Sequence, residues 1–348
     1  MAAPLTPSLD PRRIEAEIAQ LRERGSTAFG GGVKTNLFNL VVLNLPGGQP
    51  EEALEVLLGR RPARIIRIAA GPEGPEGASV SGRCFPGTLD RGVCLEEIDI
   101  AAAGDPLGGG AGAWTPLLDR DIPTFLWITG PWTPADLPRE AAAHADKLIV
   151  DSSGTADPPA ALAALHRLRE ATRRRLAAAD LAWSRTLPLR VQAARLFDPS
   201  GARDALDRLA GVRLEGGTRS EAQLFFLWLA ARLGWRPIAG PGDPSFEDAS
   251  GRTVSLVHGN PGPLDRGARL SFDVRGASGV EVVCSPDGCA SVGEDRGPWW
   301  LAPDGELLLA EIDSLKQDAL LDDVLGMAAA SSAAVTSAAG PGAGDRRP

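Results

Sequence analysis

The sequence predicts an α/β protein: a mixed, largely parallel sheet flanked by helices, followed by a smaller α+β carboxyl-terminal domain. Three observations lead there. Asn36–Leu45 (NLFNLVVLNL), Ala63–Ala69 (ARIIRIA) and Ile122–Thr129 (IPTFLWIT) are nearly unbroken apolar runs rich in β-formers, the pattern of strands buried on both faces. Helical stretches lie between them, as the crossovers of a parallel sheet require. Farther on the period changes: Thr253–His258 (TVSLVH), Ala268–Arg275 (ARLSFDVR) and Val280–Cys284 (VEVVC) read as antiparallel strands with one wet face.

Each element follows from local pattern. Pro11–Arg24 is an amphipathic helix, followed by a loop with Gly30-Gly31-Gly32, and Glu51–Leu58 is the first crossover helix. Val80–Phe85 and Val93–Ile100 alternate and predict two strands joined through Pro86-Gly87-Thr88. Gly71–Gly77 and Gly104–Gly112 are loops by composition. Pro134–His144 supplies about three helical turns before the strand Lys147–Asp151. That completes a strand–helix–strand unit. Asp157–Ala179 reads as one long helix with Leu162, Leu165, Leu168 and Leu176 on a face, and Arg190–Phe197 as another. After a boundary within Asp198–Gly217, Ser220–Leu233 is a strongly apolar helix capped by Ser220 and stopped by Gly234. Asp304–Met327 is a helix lined by Leu308, Ile312, Leu315 and Leu320, and Ala328–Pro348 has the composition of a disordered tail. The expected organisation is a helical arm and linker over 1–35, an α/β domain over 36–200, an α+β domain over 201–327 and a tail over 328–348.

Composition narrows the function. A net charge of -9 argues against nucleic acid as a partner, because backbone recognition needs a basic face. The one basic cluster, Arg167, Arg169, Arg173, Arg174 and Arg175, falls late in a helix and reads as a solvated face that complements the dipole. No apolar run reaches membrane-spanning length, and Met1–Asp10 lacks the pattern of a secretory leader. A cytoplasmic protein with reduced cysteines is expected.

Candidate chemistry is sparse. In a parallel sheet the ligand site lies at the strand carboxyl ends, here the loops Thr129–Trp132 and Asp151–Gly154. Neither is a phosphate cradle, a metal cluster or a nucleophile elbow, although a small-molecule sensor or enzyme would use them. Gly30–Thr35 (GGGVKT) departs from the phosphate-binding loop: Val33 separates glycine from Lys34, and a strand rather than a helix follows. His144, His166 and His258 show no metal spacing. Glu96, Glu97 and Asp99, or Asp119 and Asp121, could position a metal, but charged strand edges and turns account for them. No catalytic set, cofactor site or metal site is therefore expected. Cys284 and Cys289 bracket Ser-Pro-Asp-Gly. Two ordinary buried thiols are the favoured reading; if that is a four-residue hairpin loop, the two face each other within disulfide reach and could form a redox pair. Cys84 and Cys94 flank a longer loop and could also approach. Most tryptophans (Trp127, Trp183, Trp228, Trp235) should be core. Trp132 sits in a loop, and Trp299 and Trp300 point to opposite faces if extended, so these three are candidate partner contacts.

The strings ARIIRIAA, VSGRCF with VCLEEIDI, PLLDRDIPTFLWITG, ADKLIVDSS, LAWSRTLPLRVQAARLFD, FFLWLAARLGW and LLLAEIDSL, in this order over Asn36–Gly326, resemble the glucose-6-phosphate dehydrogenase assembly protein OpcA family. The resemblance implies a non-catalytic, allosteric partner that promotes assembly and activity of glucose-6-phosphate dehydrogenase in the oxidative pentose phosphate pathway. It also implies redox control through cysteines in some members. It brings no catalytic residues to carry over, and the redox cysteines of those members do not map onto Cys284 and Cys289 residue by residue.

Overall fold

Strands without a polar face must be covered on both sides, and the first sheet meets that demand. Its seven strands are β1 (Phe38–Asn44), β2 (Ala63–Gly71), β3 (Gly77–Pro86), β4 (Gly92–Ala103), β5 (Thr124–Thr129), β6 (Lys147–Val150) and β7 (Ala177–Asp180), in the order β3-β4-β2-β1-β5-β6-β7. All neighbours are parallel except β3, which returns antiparallel on β4. Every residue of β5, β6 and β7 is buried. The computed structural model describes residues 10–28, 36–57, 60–71, 77–86, 92–103, 114–173, 175–198, 202–238, 245–291 and 298–338. By contact the chain forms two compact units: Met1–Gly154 with Leu168–Leu181 and Pro303–Gln317, and Thr155–Arg167 with Ala182–Ala302 and Asp318–Pro348. The stretch Pro303–Gln317 thus joins the first sheet rather than the carboxyl-terminal unit.

The first unit builds its core on one face of that sheet. Phe38, Leu40, Val42, Ile65, Phe125, Trp127 and Ile149 meet Ala53, Leu54 and Leu57 of the helix Glu51–Leu57, and Leu308, Leu309 and Ile312 of the helix Asp304–Ile312. Phe38 and Phe125 pack edge to face at 5.7 Å. The predicted helix Asp304–Met327 is two helices, Asp304–Ile312 and Ala319–Ala338. The break has a cause. The buried Lys147 on β6 donates to the carbonyls of Glu311 (2.9 Å) and Ser314 (3.0 Å) and to the Glu311 carboxylate (2.6 Å), and Ala178 N–H donates to Gln317 Oε1 at 2.8 Å. These bonds use the chain between the helices to close the β7 side of the sheet. Helix also replaces the expected tail as far as Ala338, while residues 339–348 lie outside the described ones.

Other expectations need correction. Pro134–His144 is no continuous helix but two 3-10 turns, Pro134–Asp136 and Ala141–His144. Pro138 forces Leu137 into the extended region (ψ 125°), which interrupts the helix. The helix expected over Asp157–Ala179 stops at Ala171, Arg173 turns left-handed (φ 52°), and Ala177–Asp180 is strand β7. Burial beside β6 there outweighs the helical preference of three alanines.

The second sheet has the order β14-β13-β12-β8-β11-β10-β9. Its strands are β8 (Leu209–Glu215), β9 (Arg236–Ile238), β10 (Ser245–Glu247), β11 (Thr253–Gly259), β12 (Ala268–Val274), β13 (Val280–Ser285) and β14 (Gly288–Ser291). The predicted antiparallel strands are present, but the region taken as a boundary holds β8, at the centre of the sheet and parallel to β11. Behind it lies the helix Arg219–Leu233, capped by Thr218 rather than Ser220. Thr218 Oγ1 accepts from Glu221 N–H (3.2 Å) while the Glu221 carboxylate accepts from Thr218 N–H (2.7 Å). Gly234 closes this helix at φ 65°. Trp183 Nε1 donates at 2.8 Å to Asp318, which caps the Ala319–Ala338 helix by accepting from Leu320 N–H at 2.8 Å.

Candidate functional site

With the antiparallel β3 set aside, the first sheet reads β4-β2-β1-β5-β6-β7. This is the doubly wound order in which the chain reverses direction of travel across the sheet between β1 and β5. Such sheets bind ligands outside the strand carboxyl ends at that reversal, where the first loop offers backbone amides to a phosphate. The site to examine is therefore the loop after β1, Leu45–Pro50, together with Thr129–Trp132 after β5 and Asp151–Gly154 after β6.

These loops fill the crevice themselves. Gly48 lies against Asn44 and Thr129, so close that an added Cβ would stand 2.6 Å from Thr129 Oγ1, and one on Gly130 (φ 86°) would stand 2.8 Å from Gly48 N. Thr129 Oγ1 donates to Asn44 Oδ1 at 2.8 Å beneath them. Several amides of these loops are committed within the protein: Leu45 N–H to Thr129 O (3.0 Å), Gly48 N–H to Leu45 O (2.9 Å), Ser152 N–H to Asp180 Oδ1 (3.1 Å) and Ser153 N–H to Asp151 Oδ1 (2.9 Å). The indole of Trp132 is 1% exposed and donates from Nε1 to Asp151 O at 2.8 Å, so it bridges the loops after β5 and β6. Glu51 and Glu52 place negative charge in the first turn of the helix that follows β1, where an anionic ligand would need the opposite. The strand Ala63–Gly71 carries no carboxylate to take a ribose hydroxyl.

The remaining sequence candidates disperse. Glu96, Glu97 and Asp99 are no metal cluster: Arg64 bonds the Glu96 carboxylate (3.0 Å), Asn36 Nδ2 donates to it (3.0 Å), and Arg67 pairs with Asp99 and Glu97 across β2 and β4. Arg169 is buried rather than on a solvated face and donates to Leu176 O at 3.3 Å. His258 Nε2 lies 3.1 Å from Gly216 O, and His166 lies in the helix Pro158–Ala171. His144 lines a cleft of about 480 Å³ with Asp119, Arg120 and Asp146, near the amino-terminal ends of β5 and β6 and away from the reversal. The GGGVKT segment lies outside the described residues. No group of three or more His, Cys, Asp or Glu side chains able to hold a metal occurs among the described residues.

Cys284 and Cys289 stand opposite each other on β13 and β14 and are joined by a disulfide, not left as two thiols. The hairpin is tighter than a four-residue loop, because Ser285 pairs with Gly288 and only Pro286 and Asp287 turn. Gly288, at φ 125°, supplies the backbone conformation that this turn needs. Cys84 and Cys94 occupy opposed positions on β3 and β4. Of the three candidate contact tryptophans, Trp299 is buried and donates to Leu264 O at 3.3 Å, Trp132 is buried as above, and Trp300 is 70% exposed. Trp183 is buried as expected, but its partner Arg190 was not among the expected site residues. The Arg190 guanidinium lies 3.4 Å from the Trp183 ring centroid and donates to Trp183 O and Thr186 Oγ1. Burial lowers its pKa to about 10, against the opposing pull of Asp318.

Residues 55–167 match the family model described as the glucose-6-phosphate dehydrogenase subunit N-terminal domain, and residues 176–325 match its C-terminal counterpart. The chain belongs to the OpcA family. It is similar to two proteins provisionally named OxPP cycle protein OpcA. That of Synechocystis sp. is 30% identical over 195 residues, 53% of this chain and 40% of that one; that of Nostoc punctiforme is 32% identical over 208 residues, 57% and 43%. The chain thus matches less than half the length of either. Among solved structures it is similar to scyllo-inositol dehydrogenase from Lactobacillus casei, at 11% identity and a TM-score of 0.43, covering 87% of this chain and 98% of that one.

Proposed function

We propose that this OpcA-family chain is a non-catalytic partner of glucose-6-phosphate dehydrogenase that favours the enzyme's assembled, active form in the oxidative pentose phosphate pathway. Family membership carries the reading, and the filled crevice at the β1–β5 reversal supports it. A sheet in the nucleotide-binding order has several of its loop amides bonded within the protein and its opening narrowed by the close packing of Gly48, Gly130 and Trp132. The same packing counts against a sensor or enzyme built on loops 129–132 and 151–154. As an activator, the chain need only bind the active state better than the inactive one; a tenfold shift takes about 1.4 kcal/mol. Within this proposal Trp300 is the contact candidate the geometry favours, because its ring faces solvent. The Cys284–Cys289 bond is the element through which redox conditions would act.

The purified chain mixed with the dehydrogenase of its own host should form a complex on size exclusion and raise turnover. No complex together with unchanged activity overturns the proposal. Reduction should alter the activation, and Cys289→Ser should remove that response; a variant that responds like wild type makes the bond structural only.

A further inference from the structure

In the second unit, one face of the seven-stranded sheet has no covering layer among the described residues. Strand register identifies it. Arg269 on β12 lies beside Glu215 on β8 and Val283 on β13, Ser271 lies beside Arg213 and Glu281, and Asp273 beside Gly211. The row continues through Ser255 on β11 to Ser245 on β10 and Ile238 on β9. Alternate residues Leu270, Phe272, Val212, Leu214, Val254, Leu256 and Phe246 point the other way and are buried, whereas Arg213, Ser255, Arg269, Asp273 and Val283 are exposed.

We propose that this face docks against the same face of a second copy of the chain. Two arguments choose that occupant. The first is charge. The whole chain carries -9, so an average patch of its surface is net negative and repels its own copy. This face instead interleaves Arg213, Arg236 and Arg269 with Glu215, Glu247, Glu281 and Asp273. Internal pairs already form at Arg269–Glu281 (2.8 Å), Arg269–Glu215 (3.7 Å) and Arg236–Glu247 (3.8 Å). A nearly balanced mixture of both signs is self-complementary under a two-fold axis, where each Arg of one copy can meet a carboxylate of the other. The second argument is area. Seven strands about 4.8 Å apart and roughly five residues deep present about 500–600 Å². A face-to-face pair buries about 1,000–1,200 Å², the lower limit for a specific dimer. The low relief at Gly211, Ser245 and Ser255 allows sheets to approach closely.

Sedimentation velocity tests this directly. Wild type should shift from monomer to dimer as concentration rises through tens of micromolar. Arg213→Glu, placed between Ser271 and Val257 on the neighbouring strands, should weaken dimerisation at least tenfold with an unchanged circular dichroism spectrum. If Arg213→Glu does not fold, Val283→Glu gives the same reading, since Val283 is 40% exposed and lies beside Arg269. A wild type that stays monomeric, or a dimer indifferent to both substitutions, overturns the inference. So does a monomer whose complex with the dehydrogenase is lost in Arg213→Glu; that result assigns the face to the enzyme and leaves the proposed function standing.

Discussion

The two seven-stranded sheets solve opposite problems. In the first, β1, β5 and β6 are buried along almost their whole length, and the crevice that this strand order normally opens to a ligand is filled by the protein's own loops. In the second, β12 runs buried, exposed, buried, half-buried, buried, exposed, buried, and one broad face stays wet. The loops at the carboxyl ends of the first sheet pack tightly on one another and bond several of their own amides. The second keeps charged and small side chains outward and can recognise a surface. The first sheet is closely packed at its strand ends, and the second leaves a face of mixed charge open to solvent.

Breaking the packing at the strand ends should have the largest effect. Trp132→Ala removes a buried indole and its bond to Asp151 O, and should cost about 3–5 kcal/mol in urea unfolding. A cost below about 1 kcal/mol with loss of the dehydrogenase complex would instead make Trp132 a contact residue and undo the contrast between the sheets. Gly48→Val forces a branched side chain onto Asn44 and Thr129 and should cost about 1–3 kcal/mol. In differential scanning fluorimetry, millimolar NADP should shift the melting of neither wild type nor variant; a clear shift in wild type would show that the crevice opens.

A smaller, pH-dependent effect should mark the second unit. Asp248 accepts from Ser250 Oγ (2.6 Å), from the N–H groups of Ser250 and Arg252 (both 2.9 Å), and from Arg252 Nε (3.0 Å) and Arg275 Nη1 (3.2 Å). The Ser250 hydroxyl first, and then the Arg252 N–H, hold its carboxyl well below the usual range. A carboxyl lowered in the folded state stabilises above its unfolded pKa, and that stability is lost as pH falls through the folded value. Asp248→Asn should therefore lower Tm at pH 7, and its deficit should shrink progressively below about pH 4. A deficit independent of pH would trace the loss to packing. The least change in stability is expected at Trp300→Ala, within about 0.5 kcal/mol because the ring is exposed. The same substitution should weaken dehydrogenase binding about tenfold or more if the ring is an interface anchor.

What was legible in the sequence was period and composition. NLFNLVVLNL, IPTFLWIT and KLIV had to be strands covered on both faces, and ARLSFDVR a strand with one wet face, because side-chain direction alternates along a strand wherever it ends up. The Cys284–Cys289 pairing was within reach of hairpin arithmetic for the same reason. The family strings were visible too, since they are written in local sequence. Tertiary structure alone decided that Ala177–Asp180 is a strand and that β8 completes the second sheet from inside an apparent boundary. It also used the stretch between the last two helices to close the first sheet through Lys147 and Gln317. The fate of the two strand-end loops was equally hidden. Thr129–Trp132 reads as an open site until Gly48, about 80 residues earlier in the chain, is seen to occupy the space above it. Local pattern fixes which way side chains point; whether a crevice is open depends on atoms far apart in sequence, which only packing brings together.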